Sequence, residues 1–103
     1  MPIFGKTDPT DKRVLYEKIR GPSKVEIENA VRESFGLKTA EYFETRTSNR
    51  QEPITTPCVV FLIIGKFDVG GETCDEVYKG YTITDENAIH LEAHSAVVIM
   101  PLS

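Results

Sequence analysis

Cysteine is scarce in this chain: Cys58 and Cys74 are the only two in 103 residues, and they do not form a C-x-x-C pair. Two thiols cannot build a disulfide framework. Cys58 opens the apolar run CVVFLII, where it should behave as a small buried hydrophobe. Cys74 sits in ETCDE, whose carboxylates raise a thiol pKa and make it a poor nucleophile. Both are expected to be reduced. Long apolar runs are also missing: none approaches the roughly 20 residues needed to cross a bilayer. The opening MPIFGKTDPTDKR has no apolar core like that of a signal peptide and no myristoylation pattern. These absences lead to the expectation of a cytoplasmic protein without a membrane partner.

Positive charge is not concentrated either. The net charge is −4, and the two basic residues after position 50, Lys66 and Lys79, leave the second half acidic. Nucleic-acid binders normally show a dense Lys/Arg face, so no nucleic-acid partner is expected. There is no G-x-S-x-G elbow, P-loop, G-x-G-x-x-G fingerprint or H-E-x-x-H pair. No cofactor is expected. No internal repeat or low-complexity segment appears.

What is present is the patterning of one globular domain spanning 1–103, with 1–9 as a flexible start or an edge segment. At this length most apolar surface can be buried without a metal or disulfides. Residues 10–20 fit a short helix through Val14, Leu15 and Ile19, but alternate well enough to be a strand. The clearest local signal is PSKVEIENAVRESFGL. Ser23 and Glu26 have capping-box spacing, Ile27, Ala30, Val31, Ser34 and Phe35 share one helical face, and Gly36 with Leu37 supplies the stop. This predicts a helix over 24–35.

After it the period falls from 3.6 to 2. AEYFETRT reads as a strand near 40–47, and SNRQEPITTP as a polar loop. CVVFLIIGKF reads as a central strand apolar on both faces. A turn around Gly70 and Gly71, a strand near 76–84, a turn at TDEN, the alternating AIHLEAH and a final strand SAVVIMPL follow. The predicted fold class is α+β, with one or two N-terminal helices packed on a curved four- to five-stranded antiparallel sheet. The alternative is a small β-barrel with one helix. One helix covers only part of one sheet face, so the second apolar face of the strands at 58–67 and 95–101 needs a cover. The N-terminal segment, barrel closure, or self-association of the chain as a homodimer through that face would each supply one.

Candidate chemistry is thin. In HLEAH, His90, Glu92 and His94 would face one side of a strand, with the two histidine Cα atoms roughly 13 Å apart, too far to share an ion. No metal is expected there. As weak catalytic candidates they would act as acid–base groups in a sheet cavity, with Asp85 or Glu86 near. Asp68, Glu72, Asp75 and Glu76 flank the Gly-Gly turn, yet the calcium-loop spacing is missing and a solvated hairpin tip is the simpler reading. Arg46 and Arg50 could clamp a carboxylate or phosphate from the 45–57 loop. Tyr42, Tyr78 and Tyr81, with Phe43, are candidates for lining a concave ligand face, although strand aromatics are more often core. The favoured function is a non-enzymatic ligand- or protein-binding module. A small helix-on-sheet enzyme using His90 or His94 is the alternative, and a structural oligomer subunit is the third reading.

Overall fold

The computed structural model describes residues 3–7, as backbone, and 23–102. In chain order the elements are β1 (Ile3–Thr7), α1 (Lys24–Phe35), β2 (Glu41–Glu44), β3 (Arg50–Pro53), β4 (Cys58–Ile64), β5 (Phe67–Val69), β6 (Glu72–Cys74), β7 (Gly80–Ile83), β8 (Ala88–Leu91) and β9 (Ala96–Pro101). The segment at 10–20, read from sequence as a short helix or a strand, lies outside the described residues.

The helix begins and ends where its capping residues dictate. Ser23 is extended and its Oγ accepts the Glu26 backbone N–H at 3.4 Å. At the other end Gly36 is left-handed at φ 67°. The Leu37 N–H reaches Arg32 O and the Gly36 N–H reaches Glu33 O, which satisfies carbonyls the helix leaves open. Ile27, Ala30 and Val31 are its buried face.

The strands form two antiparallel sheets rather than one. Among the described residues the first has five strands in the order β1-β7-β4-β9-β2, and the second has four in the order β3-β8-β5-β6. This corrects the single-sheet expectation and answers the question of the second apolar face. Strands β4 and β9 alternate between two cores. Val59, Phe61, Val98 and Met100 pack with Ile27, Ala30 and Val31 of the helix. Cys58, Val60, Leu62, Val97 and Ile99 pack with Phe67, Val69, Ile89 and Leu91 of the second sheet. The face that called for a cover is therefore covered by the chain's own second sheet. Full burial of each such Val, Ile, Leu or Phe stabilises by about 1.5–3 kcal/mol, so both layers matter to stability.

Three of the predicted strands are shorter than expected where the chain changes sheets. CVVFLIIGKF is two strands: β4 stops at Ile64, and after Gly65 and Lys66 the chain enters the other sheet as β5. AIHLEAH stays a strand only to Leu91, and His94 adopts φ 61° in the turn that crosses back to β9. The strand expected at 76–84 is shortened to Gly80–Ile83, with Tyr78 at φ 64° in the crossing before it. Conversely, the polar SNRQEPITTP loop contains β3, whose Arg50–Pro53 pair with Leu91–Ala88. The Gly70–Gly71 turn is as expected. Both glycines have positive φ and join Val69 to its partner Glu72, as a two-residue hairpin requires.

Candidate functional site

Three of the sheet-to-sheet crossings are tied to one another by a polar node. The Ser95 Oγ accepts from Lys66 N–H at 3.0 Å and donates to Lys66 O at 2.9 Å. Ser95 N–H donates to the Thr45 Oγ1, which itself donates to Glu92 O, and the Thr45 N–H reaches Ser95 O. Asn49 Oδ1 accepts the Ala93 N–H, and the His94 N–H donates to Arg46 O. The node satisfies backbone groups that leave one ladder before joining the next. Ser95 is buried and its hydroxyl is fully used as glue, so it is not a free nucleophile.

The sequence candidates are dispersed by this architecture. His90 is exposed on the outer surface of the second sheet, opposite Gln51 on one side and Asp68 on the other. The helix packs against the first sheet, so it does not roof His90. His94 is exposed in the turn beyond the end of β8, so HLEAH is not one strand face as alternation implied. Glu92 pairs with Lys66 at 3.6 Å. Among the described residues no group of three His, Cys, Asp or Glu side chains is arranged to hold a metal ion. At the hairpin tip, Asp68 accepts the Thr73 hydroxyl at 2.7 Å.

The aromatic candidates occupy different layers. Tyr42 and Tyr78 belong to the helix-covered face, while Tyr81 is buried in the inter-sheet core with Phe43 packed against that core. They do not line one cavity. The Tyr81 hydroxyl accepts the Glu76 N–H, and its ring meets Phe67 edge-on at 5.5 Å. Tyr42 is pinned to the helix. Its N–H donates to Glu28 Oε2 at 2.8 Å, its hydroxyl meets Glu44, and Lys24 lies 5.7 Å above its ring. Burial, reinforced by the Glu44 carboxylate, holds its phenol above the usual tyrosine pKa. Glu44 in turn is held below the usual carboxylate pKa, chiefly by hydrogen bonding to Lys24.

The arginine candidates also part company. Arg50 Nε lies 2.8 Å from Glu52 Oε2, with Glu52 buried at 6% exposure on the inward face of β3, opposite Ile89. No hydrogen bond is aligned on that oxygen, so the contact is an ion pair alone. Arg50 is thus committed within the fold. Arg46 is exposed, and its carbonyl anchors the His94 turn.

What the fold does build is a groove of about 290 Å³ where the sandwich opens between two of its edge strands, β2 and β3. Phe43, Ile54 and Ile99 of the inter-sheet core line it with Ala40, Pro53 and Pro101, and Thr39, Glu41 and Thr55 add polar groups. Glu41 and Phe43 face it because they sit opposite Ile99 and Val97, whose side chains point between the sheets. Of these nine residues only Phe43 was singled out from sequence, although Pro53, Ile54 and Thr55 fall inside the 45–57 segment that was. The missing signal was β3, since a polar four-residue strand reads as a loop.

No protein-family model, curated protein or solved structure matches the chain. Among the described residues no helix is long and apolar enough to cross a membrane.

Proposed function

We propose that the protein is a small-molecule-binding module and that its site is the groove between β2 and β3. The observation that carries this reading is an opening into the inter-sheet core: Ile54 and Ile99, 9% and 7% exposed, line it beside the half-buried Phe43. Concave, mostly apolar sites with a few polar groups suit small ligands, and this volume is near the lower end of their range. An extended peptide added as a further strand fits less well. The Ile54 N–H bonds to Asn87 O, so the β3 amides on the open side belong to Gln51 and Pro53, and proline has no N–H. On β2 the outward Tyr42 N–H is already held by Glu28. The enzyme reading has less support, because His90 and His94 are exposed and neither lines the groove.

Titrating hexan-1-ol into isotopically labelled protein tests the reading by NMR. Saturable amide shifts confined to 39–43, 53–55 and 99–101 are expected. Thr55→Trp, at an exposed groove position, should abolish them while leaving the melting temperature unchanged. Shifts scattered over the surface, or none, would overturn the proposal.

A further inference from the structure

We infer that the natural ligand of this groove is an amine: an apolar body carrying one protonated nitrogen, with Glu41 as its counter-ion. The inference rests on the binding role proposed for the groove. Glu41 is the one charged residue among the described residues that line it. Its carboxylate has no hydrogen-bond or ion-pair partner among the described residues, whereas nearby Glu44 and Glu52 are each paired to a cation. Lys38, the nearest basic residue in sequence, is exposed and does not line the groove. Arg50 is spent on Glu52, so that pair adds little net field at the opening.

The chemistry follows from position. Glu41 and Phe43 are neighbours on the same face of β2, so a ligand packed on Phe43, Ile54 and Ile99 places its head beside the carboxylate. Glu41 is exposed, so an ammonium there keeps much of its hydration and is not forced into a dry site. Thr39 and Thr55 supply hydroxyl acceptors for the remaining N–H groups. An anionic head would meet Glu41 with no compensating cation among the described residues that line the groove. The volume suits a small free amine better than a lysine side chain presented on a strand, given how few outward amides the two edges offer.

Hexylammonium, hexan-1-ol and hexanoate share one apolar body and differ in head-group charge, so their affinities at the groove amides test the inference. Hexylammonium is expected to bind roughly two- to fivefold tighter than the alcohol, the range for an exposed ion pair, with hexanoate weakest. Glu41→Gln should remove the preference for the cation over the alcohol. Thr55→Arg, which places a positive charge in the groove, should reverse it. Raising the salt concentration should narrow the gap between cation and alcohol. Equal binding of cation and alcohol to the unaltered protein, or a preference that survives Glu41→Gln, would overturn the amine while leaving the groove intact. Failure of all three compounds to shift the groove amides would overturn both.

Discussion

Gly65 is the position where the smallest possible change should do the most damage. It carries φ 81°, and a Cβ placed there lies 2.3 Å from Ser95 Oγ, 2.7 Å from His94 O and 2.8 Å from Ser95 Cα. Three terms decide the cost of Gly65→Ala. The left-handed backbone costs a non-glycine residue about 1–2 kcal/mol. Displacing Ser95 strains its two bonds to Lys66, each worth about 1 kcal/mol. Against these, alanine reduces the entropy of the unfolded chain by about 0.4–1 kcal/mol. The net loss is about 2–3 kcal/mol, a large share of the roughly 5–15 kcal/mol that stabilises a domain. Rotating the serine does not rescue the variant, because two of the three close atoms are backbone. Gly36 and Gly71 serve as controls: both have positive φ, but a Cβ at either meets nothing within 4 Å. Their alanine variants should lose only the conformational part, about 1 kcal/mol. Urea denaturation of the three variants measures the difference directly, as a midpoint lowered by about 1–2 M for Gly65→Ala. A loss for Gly65→Ala no greater than for the controls would refute the close approach of the two crossings.

Burial pushes the Cys58 thiol from 9.0 up to about 11, so native protein should resist thiol reagents near pH 8 and react only at the rate of global unfolding; fast labelling of folded protein would contradict this. The same raised pKa, joined by that of Tyr42, favours the protonated folded state. Its contribution to stability is full below about pH 9 and is lost as pH rises through 11, which chemical denaturation at pH 8, 9.5 and 11 would detect as a falling midpoint. Glu28→Ala should cost about 1–3 kcal/mol by leaving the Tyr42 N–H unpartnered, and Glu28→Gln, which keeps an acceptor, should recover most of it; equal losses in the two variants would mean the bond is immaterial. His90→Ala should change stability by no more than about 0.5 kcal/mol, as for other exposed positions. His94→Gly should be neutral or stabilising because His94 sits at φ 61°; a clear loss in thermal melts would show that its side chain holds the turn.

Much of the local structure was legible because it depends on neighbours in sequence. Ser23, the 27/30/31/35 spacing and Gly36 specify helix α1, since capping and amphipathicity act within one or two turns. The glycine pair at 70–71 specifies a hairpin for a similar reason: only residues that tolerate positive φ close a two-residue turn. The two-sided apolar character of β4 and β9 correctly required two covering layers.

Which layer covers which face was decided only by the tertiary structure. Alternation reports that a residue is half-buried, but not which sheet its strand joins, so GKF and EAH read as continuations of strands that in fact turn away. The crossings turn on Gly65, on Ser95 and on Thr45, and the node they form joins residues up to fifty positions apart in sequence. The polar β3 escaped notice because its ladder partner, β8, lies more than thirty residues downstream and its own side chains are mostly wet. β3 is the edge strand that faces β2 across the opening, and without it the groove holding Phe43, Ile54 and Glu41 does not exist. Sequence periodicity determined the helix, the hairpin and the amount of surface to be hidden. Long-range pairing, which no local pattern encodes, decided where the sandwich opens and which side chains meet there.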